Sequence, residues 1–331
     1  MPFRHRQISG RNLSPIGLGC MSLSHAYSPR PDEADSLKLL NLAIDTGYNH
    51  FDSARLYGLG HNEALISEIL ASRRDEMFIT SKGGVEFDDG KRRIDCHPEA
   101  IRRAVDKSLQ TFGVNHIDLY YLHRRDVNTP VEESVGALAD LRKEGKIGGV
   151  GLSEMSAATL RKAAAQTRID AMQSEYSLWT RNPELGVLDA CKETGTAFVA
   201  FSPVARGALA DRIQDPADLP DDDLRKKQPR FSEDNWPKNK SLIDRFNRLA
   251  GEAGVSPAQL SLYWILSRGD HVHAIPGTGS IDHMKENFAT SGLFVSADIL
   301  DRADKLINQS SVAGHRYPEG VRKAIDTEDF E

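Results

Sequence analysis

The sequence contains few cysteines, and their spacing excludes several kinds of site. Its 331 residues include only Cys20, Cys96 and Cys191, and no two of them form a Cys-x-x-Cys pair. This sparse, odd set argues against a disulfide framework and a zinc knot, and it is typical of a reducing compartment. We therefore predict a cytoplasmic protein without a metal site, in which the cysteines are packing residues.

The sequence also lacks a long apolar run and an excess of basic charge. No stretch approaches the roughly 20 apolar residues of a membrane-spanning helix. The first residues, Met-Pro-Phe-Arg-His-Arg, contain no apolar signal-peptide core. The formal net charge is −6, which disfavours nucleic acid and anionic membranes as partners. A small-molecule partner is therefore expected.

What the sequence does contain is a repeated alternation of short apolar strands and helices. The eight predicted strands cover residues 13–18, 48–51, 77–81, 117–122, 147–152, 171–175, 196–201 and 272–275. A hairpin strand is expected at residues 3–10 and an extra C-terminal helix at residues 297–306. Eight such units over roughly 270 residues predict an α/β fold, a (β/α)8 TIM barrel rather than an open doubly wound sheet. No linker is visible, so residues 1–331 are predicted to form a single domain.

One segment interrupts this alternation. Residues 211–240 are charged, contain proline and are predicted to form a long functional loop ahead of a helix at residues 241–253. Within it, the basic run 225–231 could close over a bound ligand, or it could be an ordinary solvated loop. Residues 24–32, 87–95 and 124–130 and the polar tail are also expected to shape a substrate site.

Four polar side chains follow neighbouring predicted strands. Asp52, Lys82 and His123 come directly after the second, third and fourth strands, and Tyr57 lies in the loop beyond Asp52. Each has an ordinary explanation when taken singly: a helix-capping acid, a solvated lysine, a satisfied core histidine and a half-buried loop tyrosine. The carboxyl ends of barrel strands share one mouth, however, so we expect these four side chains to meet there.

Together the four groups suit hydride addition to an aldehyde or ketone. A phenol with a pKa of about 10 is a poor acid at neutral pH, and the Lys82 ammonium, held by Asp52, is expected to lower the pKa of Tyr57. Tyr57 would then act as the general acid, and neutral His123 would donate a hydrogen bond to the carbonyl oxygen. No nucleophile is paired with a base, which disfavours acyl transfer, and the chemistry requires a hydride donor.

A site for that donor is suggested after the last strand. Gly277, Thr278, Gly279 and Ser280 form a turn that leads into a helix N-terminus, where free N–H groups favour a phosphate. The spacing is not Gly-x-Gly-x-x-Gly, so an ordinary strand–helix turn is the alternative. At the other end of the site, Phe201 or Tyr176 could stack on a nicotinamide ring. The side chains that could hydrogen-bond a carboxamide are Ser153, Glu154 and Gln173.

Six motifs carry a resemblance to a known family. They are Phe51-Asp-Ser-Ala-Arg-Leu-Tyr-Gly, Thr80-Ser-Lys, Tyr120-Tyr-Leu-His-Arg, Gly151-Leu-Ser-Glu, Gln173-Ser-Glu-Tyr-Ser and Phe201-Ser-Pro-Val-Ala-Arg-Gly. The chain resembles the aldo-keto reductase superfamily, and its bacterial and plant-type branch in particular, from Leu13 to about Gly292. The resemblance implies an NAD(P)H-dependent oxidoreductase that reduces aldehydes or ketones. Its catalytic tetrad would be Asp52, Tyr57, Lys82 and His123.

The resemblance also implies contacts to the cofactor. Ser153, Glu154 and Gln173 match the carboxamide contacts, although many relatives carry Asn where Glu154 stands, and Phe201 matches the ring-stacking position. The remaining implied contacts are Gly19, Cys20, Met21, Asp52, Ser202, Pro203, Arg206, Gly207, Gly277, Thr278, Gly279, Ser280, His283, Glu286 and Asn287.

The cofactor expected is NADPH, with NADH possible. Many relatives have Lys or Arg near Gly279 or Ser280, and Arg where His283 stands. Arg and Lys hold a 2′-phosphate best, so their absence weakens the expected preference for NADPH. Arg206, Arg230 or another loop cation could compensate.

Three other interpretations assign different chemistry to these residues. A metal hydrolase would use a His-x-His pair at a strand's carboxyl end, but His271 and His273 open the last strand at the opposite end. A Schiff-base lyase could use Lys82. A nicotinamide-binding regulatory subunit on the same fold is possible in principle, but the intact tetrad argues against it. Neither the physiological substrate nor the oligomeric state follows from the sequence.

Overall fold

The computed structural model of the protein describes residues 3–88, 91–322 and 325–330. The described strands, in chain order, are β1 (Arg6–Ile8), β2 (Arg11–Leu13), β3 (Leu18–Gly19), β4 (His50–Asp52), β5 (Phe78–Gly83), β6 (Val85–Asp88), β7 (Lys91–Ile94), β8 (Ile117–Leu122), β9 (Ile147–Ser153), β10 (Ala171–Glu175), β11 (Ala197–Phe201) and β12 (Val272–Ala274). The pairs β1–β2 and β6–β7 are antiparallel hairpins, and the other strands build the barrel.

The eight barrel strands are parallel and pair in the order β3-β4-β5-β8-β9-β10-β11-β12. Two bridges, from Ile16 to Ala274 and from Gly19 to Gly277, join the first and last strands and close the barrel. The predicted (β/α)8 fold is therefore confirmed.

Helices surround the barrel. They are α1 (Glu33–Thr46), α2 (His61–Arg73), α3 (Pro98–Phe112), α4 (Val131–Lys143), α5 (Ala157–Gln166), α6 (Val187–Thr194), α7 (Trp236–Glu252), α8 (Pro257–Leu266), α9 (Ile281–Ala289), α10 (Ala297–Leu306) and α11 (Glu319–Arg322). Local chemistry sets several of their starts: Asp32 caps α1, and a Ser256–Gln259 capping box begins α8. The extra C-terminal helix predicted at residues 297–306 is confirmed as α10. Within the described ranges, no helix combines the length and apolar character needed to cross a bilayer.

The period-two alternation of the strands separates two apolar clusters. On β8, Leu119 and Tyr121 pack with Phe78 in the inner cluster, whereas Tyr120 and Leu122 pack in the outer cluster with apolar helix residues. Side chains two residues apart on a strand share one face. His123 therefore lies on the same face as Tyr121, and Lys82 lies on the same face as Phe78. Both side chains point inward at the mouth of the barrel.

Two predicted strand boundaries near the N-terminus are wrong. The hairpin spans Arg6 to Leu13 rather than residues 3–10, because Ser9 and Gly10 both have positive φ and form its turn. Leu13 therefore ends β2, and the core strand β3 is confined to Leu18–Gly19. Pro15 stands between them and cannot donate to a ladder.

Two segments predicted as loops contain regular structure. Residues 87–95 fall mostly in the β6–β7 hairpin, except for positions 89 and 90, which lie outside the described residues. The helix predicted from residue 241 begins earlier, at Trp236. The Trp236 side chain is buried, and Pro237 follows it in the first turn of the helix. The three cysteines are buried and free.

Candidate active site

A cavity of about 610 Å³ opens at the carboxyl ends of the barrel strands. Its size is typical of a small-molecule site. Asp52, Tyr57 and His123 line it, and Lys82 lies behind them with only 1% of its surface exposed. The structure thus brings all four predicted catalytic residues to one place.

The Lys82 ammonium lies at the centre of this group. Its Nζ forms an ion pair with Asp52 Oδ1, donates to the Ser53 carbonyl oxygen at 2.8 Å and donates to the Tyr57 hydroxyl at 3.3 Å. The lysine is therefore not a solvated side chain. Its three donors have three acceptors, which fixes the ammonium against the phenol.

The Asp52 carboxylate is anchored as well. Its Oδ2 accepts hydrogen bonds from Thr80 Oγ1 at 2.9 Å and from Gln173 Nε2 at 2.8 Å. Both donors come from barrel strands, so the carboxylate is held by the scaffold rather than by a helix end. Asp52 therefore positions Lys82 instead of capping a helix.

Tyr57 and His123 form the wall of the site that faces the cavity. Their rings meet edge to face with centroids 6.0 Å apart. The turn that carries Tyr57 places Gly58 and Leu59 at positive φ, a conformation that is unusual for leucine. His123 is fixed through its backbone N–H, which donates to the Gly83 carbonyl oxygen at 2.9 Å. No described residue supplies a partner for its Nδ1.

Burial dominates the protonation of this site. It raises the pKa of Tyr57, and although the Lys82 charge lowers it, the net pKa lies above the ordinary value. The Lys82 charge therefore acts in the expected direction, but the net pKa of Tyr57 is raised rather than lowered, because desolvation outweighs the ammonium. Burial lowers the pKa of Lys82, but Asp52 and Tyr57 more than offset this and the net pKa is raised.

Burial also lowers the pKa of His123 well below its ordinary value, and the neighbouring charge of Arg124 adds to this effect. The imidazole is therefore neutral at physiological pH, while the phenol and the ammonium keep their protons. Neutral imidazole and protonated phenol are the forms that can donate hydrogen bonds to a carbonyl oxygen gaining negative charge, and the ammonium stabilises the phenol beside it.

Comparison with known proteins identifies the family. Residues 15–308 match the model of the Aldo/keto reductase family. The chain belongs to this family. It is 37% identical over 327 residues to the aldo-keto reductase yakc [NADP(+)] of Schizosaccharomyces pombe, covering 97% of this chain and 96% of that protein. It is 36% identical to probable aldo-keto reductase 1 of Glycine max, covering 94% and 90%.

A solved structure of the family has a similar fold. The glycerol dehydrogenase of Gluconobacter oxydans superimposes with a TM-score of 0.86 at 26% identity, covering 96% of this chain and 99% of that one. The likeness therefore extends over nearly the whole chain.

Most of the implied cofactor residues of this aldo/keto reductase surround the same cavity. Those on its lining are Gly19, Met21, Asp52, Ser153, Gln173, Phe201, Ser202, Pro203, Arg206, Gly207, Gly277, Thr278, Gly279, His283, Glu286 and Asn287. Of the two candidate stacking rings, Phe201 lines the cavity, whereas Tyr176 is fully buried against Phe198 and Trp264.

Three implied residues are placed elsewhere. Cys20 is fully buried beneath the lining. The side chain of Ser280 caps α9 by accepting from the His283 N–H. Glu154 is fully buried, and its carboxylate accepts from the Glu175 N–H at 2.7 Å and pairs with Arg316 at 2.9 Å. The side chains of Cys20 and Glu154 are therefore buried behind the lining, and the Ser280 hydroxyl is engaged at the start of α9.

The C-terminal segment completes the wall that Glu154 supports. Tyr317 lines the cavity, with the guanidinium groups of Arg206 and Arg316 lying 5.5 and 5.0 Å from its ring centre. Arg206 in turn pairs with Glu175 at 2.8 Å. The sequence suggested a polar tail as one substrate wall, but its anchoring residue Arg316 has no local signal and becomes apparent only in the folded chain.

Sequence reasoning missed several cations at this site. Arg92, Arg124 and Arg212 line the cavity, and none of the three is among the implied site residues. Arg124 directly follows His123 in a quoted motif, so its position was visible. Arg92 and Arg212 belong to segments recognised as substrate loops, but only the folded chain shows which residues of those loops reach the cavity.

Proposed function

We propose that this aldo/keto reductase uses NADPH to reduce an aldehyde or ketone to an alcohol. The observation that carries the proposal is the contact of Lys82 Nζ with the Tyr57 hydroxyl at 3.3 Å, beside His123 and on the wall of the cavity. A buried ammonium held against a phenol is the arrangement that delivers a proton to a developing alkoxide.

The cavity residues fit such a cofactor. At one end, Phe201 offers a ring face, and Ser153 and Gln173 offer polar groups for a carboxamide. At the other end, the turn at Gly277 and Gly279 lies ahead of α9, whose N-terminus favours a phosphate. When bound, NADPH supplies the hydride.

The chain's own residues supply the proton and the orientation. The neutral imidazole of His123 donates a hydrogen bond to the carbonyl oxygen and holds it beside Tyr57. Tyr57 passes its proton to that oxygen as negative charge develops there. Lys82, fixed by Asp52, stabilises the phenolate that remains.

A direct assay tests this function. We expect the protein to oxidise NADPH when 4-nitrobenzaldehyde is supplied, and not in its absence. Saturable NADPH binding without turnover over a panel of aldehydes and ketones would instead favour a regulatory subunit on the same fold. Borohydride trapping of a substrate adduct on Lys82 would favour a Schiff-base lyase.

The pH profile of reduction tests the assigned protonation states. We expect kcat/KM for the aldehyde to stay nearly constant between about pH 6 and pH 9. His123 is already neutral there, because its pKa is well below its ordinary value, and Tyr57 still holds its proton, because its pKa is raised. Activity should fall only as the pH rises through the pKa of Tyr57. An inflection near pH 6.5 that His123→Asn removes would contradict this assignment.

Arg212 is the cation best placed to select NADPH over NADH. It lines the cavity near the start of α9. Burial lowers the pKa of His283 there, and the charge of Arg212 lowers it further. Of the cations considered from the sequence, Arg206 is paired with Glu175, and Arg230 donates to Thr180 away from the lining. The 2′-phosphate is therefore assigned to Arg212.

Replacement of Arg212 by serine should weaken the binding of NADPH about tenfold, because a hydrogen-bonded charge pair is lost. The binding of NADH should be nearly unaffected. The dissociation constants of both cofactors, measured by fluorescence titration, check this. Lys226→Ser is the matched control, since Lys226 belongs to the same insertion but pairs with Asp221. Equal weakening of both cofactors would remove Arg212 from this role.

A further inference from the structure

The catalytic end of the cavity carries positive charge that the tetrad does not use. Arg124 Nη1 donates to the His123 carbonyl oxygen at 2.6 Å and to Ser153 Oγ at 3.3 Å. Arg92, on β7, lines the same cavity. Burial has the largest effect on the pKa of His123, and the charges of Arg124, Lys82 and Arg92 have the next largest. All of these effects lower the pKa. The imidazole therefore lies in a positive field.

Neither Arg92 nor Arg124 has a carboxylate partner within the described part of the chain. By contrast, two other arginines on the lining, Arg206 and Arg225, are each paired with a carboxylate at 2.8 Å. Burial, and then the charge of Arg124, lower the pKa of Arg92. Two like charges on the lining of one cavity, neither with a carboxylate partner, repel each other. A negatively charged group between them would relieve this repulsion.

The phosphates of the cofactor do not account for these cations. The proposed phosphate-binding groups are the turn at Gly277 and Gly279, the α9 N-terminus and Arg212. Arg124 instead contacts His123 and Ser153, the residues assigned to the carbonyl oxygen and the carboxamide. The unpaired charge therefore lies where the substrate, not the cofactor tail, would bind.

We propose that Arg92 and Arg124 form an anion-binding subsite that selects carbonyl substrates carrying a carboxylate or phosphate group. The inference rests on the proposed reductase function, because it specifies the substrate class of the same cavity. Guanidinium groups bind the oxygens of both anions through paired N–H donors. Of the Arg124 donors, only Nη1 has a partner within the described residues, which leaves others for a ligand. The proposed substrate is therefore a short molecule that carries both the carbonyl and the anionic group.

Matched substrates test the subsite. We compare kcat/KM for 4-carboxybenzaldehyde and 4-formylphenyl phosphate with that for the neutral methyl 4-formylbenzoate. At least one anion should be preferred over the ester by about tenfold or more, and Arg92→Gln should remove most of that preference. The two anionic arms show whether carboxylate or phosphate is the better ligand. The control is Arg93→Gln, because Arg93 is the next residue on β7 but pairs with Asp95, and it should retain the preference.

Failure of the subsite and failure of the reductase function give different results. If the ester is reduced but neither anion is preferred, or if Arg92→Gln leaves the preference intact, the subsite is overturned and the reductase stands. If no aldehyde is reduced, calorimetric titration in the presence of NADP(+) decides the subsite. There, 4-carbamoylbenzoate should bind at least tenfold more tightly than neutral terephthalamide, and Arg92→Gln should abolish the difference; equal binding overturns the proposal.

Discussion

Replacement of Tyr57 by phenylalanine should lower kcat for aldehyde reduction by between about a hundredfold and ten-thousandfold, the usual range for loss of a general acid. The change removes one oxygen, and with it the proton that the carbonyl oxygen must receive. The ring itself should keep its place, because it packs edge to face on His123. Lys82 keeps its ion pair with Asp52 and its bond to the Ser53 carbonyl oxygen.

The same variant should bind NADPH normally, because the phenol is assigned to the substrate oxygen and not to the cofactor. Steady-state kinetics and fluorescence titration of NADPH separate the two effects. Tyr120→Phe is the matched control: Tyr120 is fully buried on β8, but its hydroxyl contacts Ser108 at 3.3 Å and lies outside the cavity lining. Unchanged turnover in Tyr57→Phe, or an equal loss in Tyr120→Phe, would remove Tyr57 from the general-acid role.

The convergence of the tetrad was predictable because residues that follow parallel strands in the sequence lie at the same end of the barrel. Asp52, Lys82 and His123 each follow an apolar run, and in a barrel the carboxyl ends of such runs meet. The alternation along β5 and β8 then sends Lys82 and His123 inward with Phe78 and Tyr121. Neither inference needs knowledge of a distant contact, so both follow from local patterns.

The net pKa of Tyr57 was not predictable in the same way. The neighbouring lysine indicated that the pKa would be lowered, and its charge does act in that direction. Burial acts in the opposite direction and is larger, but its extent depends on the walls that surround the phenol. Part of those walls comes from loops whose folded paths do not follow from a strand–helix pattern. Desolvation is thus a property of the assembled site rather than of a motif.

Glu154 shows a further limit of local patterns. Its motif implied a contact to the cofactor carboxamide, yet its carboxylate pairs with Arg316, 162 positions along the chain. Nothing near Arg316 in the sequence marks it as the partner of a buried acid. A long-range ion pair of this kind becomes visible only when the tail is seen against the barrel.

Removal of Arg316 by substitution with methionine should therefore lower the free energy of unfolding by about 3–5 kcal/mol, because it leaves the Glu154 charge buried without its partner. The exposed fractions of the two side chains are 4% and 0%, so solvent screens this pair little. Urea denaturation measures the loss. Arg322→Met is the matched control in the same segment; Arg322 is exposed and its pair with Asp329 is 3.4 Å long, and surface pairs of this kind contribute about 0–1 kcal/mol.

A double variant separates the buried charge from a general loss of packing. Glu154→Gln combined with Arg316→Met removes both charges, and it should recover most of the stability that Arg316→Met loses, since a neutral amide is far less costly to bury than an unpaired carboxylate. If the double variant is no more stable than Arg316→Met, the loss comes from packing around Tyr317 and not from the unpaired acid. Recovery would show that Glu154, whose motif implied a cofactor contact, instead anchors the C-terminal wall of the cavity.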